Sequence, residues 1–175
     1  MGRRFWAVLP LLLAGCAVTQ EDCVSTDWHQ QGLEDGFDGL VARSGYWVSQ
    51  CQPHGVKVDS AAYSRGWGDG NRQYCTSEQG YRHGTLGHSY QGVCPADTEE
   101  AFLNSYNKGL RLYEKAQYRE SLYDRQRDIR WRISDIDSRL NDAKLSPQTR
   151  DSLRWERQQL TYELMHIDSL LLRSL

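Results

Sequence analysis

The chain has 175 residues, with 21 Lys and Arg against 23 Asp and Glu and a formal net charge of −2 when its 5 histidines are neutral. That length supplies one modest domain and an extension, not two large cores. The charge balance excludes a nucleic acid partner, because neutralising phosphates needs clustered Lys and Arg, and here basic and acidic side chains alternate through the second half.

The N-terminus reads as a lipoprotein signal. Arg3 and Arg4 form a positive start, Phe5 to Ala14 an apolar run too short to span a bilayer, and Leu13-Ala14-Gly15-Cys16 a lipobox, so residues 1–15 are expected to be removed and Cys16 to become the acylated N-terminus. The removed segment carries two arginines and no acid, leaving 19 basic and 23 acidic side chains and a net charge near −4. No other apolar run reaches spanning length, so the bilayer is expected to be a partner through the acyl anchor alone. Ala17 rather than Asp follows the cysteine, which favours the outer membrane, facing the periplasm, as the destination. Residues 16–22 read as a lipidated linker.

Cys23, Cys51, Cys75 and Cys94 remain, an even number for an oxidising compartment, and two disulfides are expected. Three connectivities are open; the sequential one, Cys23 with Cys51 and Cys75 with Cys94, brackets one segment per bridge and crosses no loops. No Cys-x-x-Cys occurs and the close pair His83 and His88 stands alone in a Gly-rich stretch, so no metal or other cofactor is expected.

Residues 23–115 read as a Gly- and aromatic-rich helical domain. Trp28, Gly32, Gly36 and Gly39, then Tyr63, Gly66 and Gly70, then Gly80, Gly84 and Gly87, and finally Tyr106 and Gly109 recur at steps of three and four, which set each group on one helical face. The shared Asp35-Gly36 and Asp69-Gly70 suggest a repeated unit. Glycine costs a helix about 0.5 to 1 kcal/mol relative to Ala, so turns are the alternative. Asp27 with Gln30, Asp97 with Glu100, and Asp59 at the second group look like helix caps and favour helices. Glu34, Asp38, Arg65 and Arg72 between the glycines exclude a membrane zipper.

After Tyr113 glycine disappears and charge rises. Residues 116–175 read as an antiparallel coiled-coil hairpin: Ile129, Ile133, Ile136 and Leu140 step by four, three and four, and Leu153, Leu160, Leu164, Ile167 and Leu171 resume the seam after a turn at Ser146-Pro147, where Ser146 caps and Pro147 begins the second helix. The fold expected is therefore mostly α, a small disulfide-stabilised domain followed by that hairpin.

No catalytic constellation is present. Gly-x-Ser-x-Gly, His-Glu-x-x-His and a phosphate-cradling glycine loop are all missing, and carboxylate pairs such as Asp35 and Asp38 read as helix surface. Two binding readings compete. Trp28, Trp67, Tyr81 and Tyr90, with nearby polar residues, could line a cleft that stacks a glycan or peptidoglycan, although a domain poor in Leu, Ile and Val also needs rings for its core. Trp131, Trp155 and Tyr162 among the charges of the hairpin suit an interaction arm that contacts an unidentified envelope protein. The second is preferred, which makes the chain a binding or scaffolding protein and not an enzyme.

Asp27-Trp28 with Gly32, Asp35-Gly36 and Gly39, Tyr63-x-x-Gly66-x-x-x-Gly70, Tyr74-Cys75, and the run from Gly84 and Gly87 through Tyr90 to Gly92-Val93-Cys94-Pro95, followed by Tyr106-x-x-Gly109, together resemble the small Gram-negative bacterial lipoproteins grouped as domain of unknown function 2799. The resemblance covers roughly residues 20 to 115. It implies a cell-envelope lipoprotein and no particular reaction.

Overall fold

The computed structural model describes residues 18–173; the signal segment and Cys16 lie outside the described residues. Among those described, the regular elements are helices: α1 (Gln20–Ser25), α2 (Trp28–Phe37), α3 (Ser44–Cys51), a 3-10 turn (Gln52–His54), α4 (Ser60–Tyr74), α5 (Ser77–Thr85), α6 (Ala96–Leu140) and α7 (Pro147–Arg173), with no strand. The chain divides into two compact units. The first holds α1 to α4 and residues 91–95, the second α5 to α7.

In the first unit α2 and α4 lie backbone on backbone. A Cβ on Gly32 or Gly36 would collide with the carbonyl oxygen of Tyr63 or Trp67, and one on Gly66 or Gly70 with that of His29 or Leu33. The glycines of each helix therefore open the space that the other helix fills, so the helical propensity they forfeit is offset by contact that no larger residue permits. The second unit repeats the device: Gly80 and Gly84 of α5 face the carbonyls of Phe102 and Tyr106 on α6, and Gly109 faces that of Tyr81.

The two pairs correspond residue by residue. Gly32, Gly36 and Gly39 match Gly80, Gly84 and Gly87 at one constant offset, and Tyr63, Gly66, Gly70 and Tyr74 match Phe102, Ser105, Gly109 and Tyr113 at another. The repeated unit is thus a pair of helices. The Asp-Gly likeness of Asp35-Gly36 to Asp69-Gly70, by contrast, links α2 to its own partner α4.

The third glycine of each series departs from the expected single face. Gly39 and Gly87 follow the helices at φ of 70°. At the first, Leu40 N donates to Asp35 O at 3.0 Å and Gly39 N to Gly36 O at 3.1 Å; at the second, His88 N donates to His83 O and Gly87 N to Gly84 O, both at 3.0 Å. These are matching left-handed terminations, in which the last carbonyls find donors. A ring covers each, Tyr74 over Gly39 and Tyr113 over Gly87, close enough to exclude a Cβ.

Caps explain most helix starts. Asp27 Oδ1 accepts from the backbone N–H of His29 and Gln30 at 2.9 and 3.1 Å, and Asp59 Oδ1 from Ala62 N at 2.8 Å. Gln30 does not reach back to close a box; its amide donates to Glu34 one turn on. Asp97 lies inside the first turn of α6 and not before it, where its charge meets the positive end of the helix dipole. A full capping box forms instead at α1, between Thr19 and Asp22. Disulfides join Cys23 to Cys51 and Cys75 to Cys94, the sequential connectivity. With sequence separations of 28 and 19, loop-closure entropy assigns about 3 to 4 kcal/mol to each. The first is buried with Val58 against Trp28, Trp47, Val18 and Val56, which makes a core where aliphatic residues are scarce.

The second half of α6 pairs with α7. Leu122, Ile129 and Ile136 interlock with Leu153, Leu160 and Ile167, flanked by Ile133, Leu140, Leu164 and Leu171. Ser146 Oγ accepts from Thr149 N at 3.2 Å and Pro147 opens α7, as the turn residues predict. The composition change near residue 115 falls within the unbroken 45-residue α6.

A clean contrast tests the glycine packing. Gly36→Ala drives a methyl into the α4 backbone and is expected to destabilise the first unit by about 1 to 3 kcal/mol or more, whereas Gly68→Ala, whose Cβ meets nothing within 4 Å, is expected to stabilise by about 0.5 to 1 kcal/mol. Chemical denaturation of the two variants measures both signs; equal effects would contradict backbone contact.

Candidate functional site

The most constrained polar group is Asp35, 2% exposed near the C-terminal end of α2. Arg43 grips both its oxygens, Nε to Oδ2 at 2.8 Å and Nη2 to Oδ1 at 2.7 Å. The Tyr63 hydroxyl donates to Oδ2 at 2.6 Å and the Gln31 amide to Oδ1 at 3.0 Å, while Arg43 N donates to the Tyr63 oxygen at 3.0 Å. Burial alone would raise the Asp35 carboxyl, but the Arg43 fork and the Tyr63 hydroxyl outweigh it and hold the group below the usual carboxylate range. Burial, and next the hydrogen bond to Asp35, push Tyr63 up to about 12.

Four donor bonds leave this carboxylate no vacancy for a substrate, so it latches α2, α4 and the segment entering α3 together. Sequence reading placed Asp35 on the helix surface. Its buried state has a signal in hindsight, since it adjoins Gly36 on the face turned to α4, and Arg43 follows eight residues later across the glycine termination.

The corresponding positions of the second pair carry different chemistry. Asp35 corresponds to His83, and Tyr63 to Phe102, which has no hydroxyl. Nδ1 of His83 lies 3.2 Å from Nδ1 of His88. Among the described residues no group of three or more His, Cys, Asp or Glu side chains is placed to hold a metal ion. One contact recurs in both pairs: Trp67 Nε1 donates to Leu40 O at 2.9 Å, and at the matching place Tyr106 Oη donates to His88 O at 2.9 Å.

The four rings read as a ligand cleft divide between the two units. Trp28 and Trp67 belong to the first unit, Tyr81 and Tyr90 to the second. Trp28 stands 5.8 Å from Trp47 over the Cys23–Cys51 cluster, and Trp67 is fixed by its bond to Leu40. Tyr90 lies 4.9 Å from Phe102 and donates to Glu99 at 2.9 Å, and Tyr81 is exposed on α5. Three of the four serve packing, as a domain short of aliphatic side chains requires.

The hairpin residues are different. Trp131, Trp155 and Tyr162 are 68%, 65% and 58% exposed. In the heptad set by the seam, each stands two residues after a buried seam residue, Ile129, Leu153 or Leu160, and therefore on the outward side of its own helix. Trp155 and Tyr162 share the back of α7, and Trp131 occupies the back of α6. Met165 and Leu172, 62% and 73% exposed, extend the α7 set and were not singled out from sequence, although their spacing of seven, three and seven from Trp155 is readable there. Between the helices Arg125 pairs with Glu163 at 2.5 Å, Arg132 with Glu156 at 3.1 Å and Arg157 with Asp137 at 2.6 Å. These pairs fix the register of the hairpin without the outward rings, of which Tyr162 accepts at its hydroxyl from the Gln158 amide at 3.2 Å within α7.

Residues 27–111, a segment just short of half the chain, match the family model described as Protein of unknown function (DUF2799). The match begins at the cap of α2 and ends just past Gly109, so it spans both glycine pairs and omits the hairpin. The Escherichia coli (strain K12) protein described as Uncharacterized protein YfiL is 28% identical over 99 residues, covering 54% of this chain and 78% of that protein. No solved structure matches.

The Asp35 latch makes stability depend on pH in a set direction. A depressed carboxyl contributes stability that is in place above about pH 4 and is lost as pH falls through the folded value. The raised Tyr63 acts at the other end, its contribution present below about pH 10 and lost as pH rises towards about 12. Asp35→Asn is expected to cost about 2 to 3 kcal/mol at pH 7, because it leaves the Arg43 fork without its charge partner, and to flatten the acid limb. Denaturation midpoints between pH 2 and 8 measure both.

Proposed function

We propose that this chain is an outer-membrane-anchored periplasmic lipoprotein, acylated at Cys16, whose hairpin binds another envelope component as a scaffold, with no catalytic step of its own. The observation that supports the binding surface is the solvent exposure of Trp131, Trp155 and Tyr162 on a hairpin whose seam and ion pairs are complete without them. Exposed amphipathic rings beside arginines are the usual anchors of protein interfaces. The rival reading, peptidoglycan or glycan recognition by the aromatic domain, gains no such support, since Trp28, Trp67 and Tyr90 are engaged in packing. The lipobox and the absence, among the described residues, of a helix long and apolar enough to cross a membrane are compatible with an acyl anchor.

Two measurements test this reading. Cys16→Ala is expected to release the protein from outer-membrane fractions or stall its processing; unchanged processing and fractionation would refute the anchor. A photo-crosslinker at Arg139 in cells is expected to capture a distinct envelope protein, and Trp131→Ala with Trp155→Ala to reduce that capture at least tenfold while circular dichroism and both disulfides are unchanged. Capture of equal strength by the double variant would refute the hairpin as the contact surface.

A further inference from the structure

α7 carries two apolar stripes. The seam stripe, Leu153, Leu160 and Ile167 with Leu164 and Leu171, is spent on α6. The second, on the opposite face, runs Trp155, Gln158, Tyr162, Met165, Ser169 and Leu172 at steps of three, four, three, four and three, which is a complete coiled-coil seam with no helix against it in the unit. Its four large members are each more than half exposed. Single exposed hydrophobic residues are ordinary, but four in one heptad register form a continuous surface.

We propose that this face of α7 docks on the same face of a second copy of this chain, antiparallel, in a two-fold symmetric pair. The inference rests on the hairpin being the contact surface: it assigns the back of α7 to a second copy and leaves Trp131, on the back of α6, to the envelope partner. Register supplies the argument for the occupant. When Trp155 is set against Leu172 of the second copy, Tyr162 falls against Met165 and Gln158 against Ser169, so each layer joins a larger side chain to a smaller one and the two amide- and hydroxyl-bearing residues meet each other. A ring against a thioether is itself a favoured contact. The flanking positions just before the stripe hold Arg154, Thr161 and Asp168. The same alignment faces Arg154 with Asp168 of the second copy, and symmetry repeats the pair on the other side, with Thr161 at the axis. Asp168 is placed for this: its Oδ1 accepts from Gln126 at 2.6 Å, which holds the carboxylate, and a carboxylate can accept further bonds. Arg154 is exposed and pairs with the likewise exposed Asp151 one turn away at 3.5 Å.

A parallel alignment fits less well. It retains one charge pair, Asp168 with Arg173, but stacks Trp155 on Trp155 and Tyr162 on Tyr162, crowding one half of the interface and underfilling the other, and it sets Arg154 against Gln159. The stripe is roughly 26 Å long at 1.5 Å per residue. Two such faces bury on the order of 1,000 Å², at the lower end of stable interfaces, which suits a reversible pair.

Single-cysteine variants read the register directly. Two differently tagged full-length chains are co-expressed, one Gln158→Cys and the other Ser169→Cys, and oxidised. The mixture is expected to give a disulfide-linked heterodimer at least tenfold above either variant expressed alone or the unsubstituted chain. Adding Trp155→Glu and Tyr162→Glu, both outward and away from the seam, is expected to reduce the link at least tenfold with the Cys23–Cys51 and Cys75–Cys94 bridges retained. Arg154→Glu is expected to weaken it several-fold, and Arg154→Glu with Asp168→Lys to restore it. No link above the unsubstituted chain overturns the proposal, as does a Gln158→Cys link as strong as the mixture, which would show a parallel pair. Only bonds between tagged copies are scored, so failure here is distinct from failure of capture at Arg139.

Discussion

Direct contact between helix backbones is the constraint on which the rest of the domain depends. Helices approach this closely where a Cβ is missing, so glycine is fixed at positions spaced by four on α2, α4 and α5, while α6 contributes Gly109 alone with Ser105 at the other matching position. Each such glycine weakens its helix by about 0.5 to 1 kcal/mol. The loss is offset by contacts along the close approach and by limits on the unfolded chain. The two disulfides supply such a limit, and the left-handed glycines at 39 and 87 end the helices without orphaned carbonyls. Close backbones also leave little room for a conventional apolar interior, and so the aromatic rings lie at the ends and edges of each pair, with Tyr74 and Tyr113 seated on the terminating glycines.

The two pairs show which polar groups depend on each other. In the first, a buried carboxylate, a phenol and a guanidinium satisfy one another. In the second, the carboxylate and the phenol positions hold His83 and Phe102 together. Neither Asp35 nor Tyr63 could change alone without leaving a buried polar atom unpaired, a penalty of about 1 to 3 kcal/mol. The scaffold common to the pairs is therefore the glycine face and the termination, and the polar latch is an addition that one copy has and the other lacks.

Much of this was legible in residue order. The steps of three and four announced helices, the even cysteines announced two bridges, and the change to charged Leu and Ile heptads announced the hairpin, because each rests on local periodicity or covalent chemistry. What residue order did not disclose is pairing in space. Nothing local says that α2 faces α4 and not α5, so the Asp35-Gly36 and Asp69-Gly70 likeness suggested a unit of one helix where the repeat is a pair. Gly39 lay in step with Gly32 and Gly36 and was read as part of a face, although a left-handed residue just past a helix falls at the same spacing. The carboxylate of Asp35 looked like any surface acid because its partners lie 8 and 28 residues away.

The hairpin obeys a different rule from the glycine pairs, yet both are built on one helix. The first part of α6 presents Phe102 and Gly109 to α5, and its later part presents Leu122, Ile129 and Ile136 to α7. An unbroken helix lets both packings coexist, since each occupies separate turns. The seam and its bridging ion pairs satisfy the requirements of an antiparallel two-helix coil, so nothing in folding calls for Trp131, Trp155, Tyr162, Met165 or Leu172 on the outer faces. Large apolar side chains in water gain nothing for the monomer, whereas removing each from water contributes about 1.5 to 3 kcal/mol. On the proposed function their placement serves contacts made outside the fold, on the outer faces of the hairpin and not in the more heavily constrained interior of the domain.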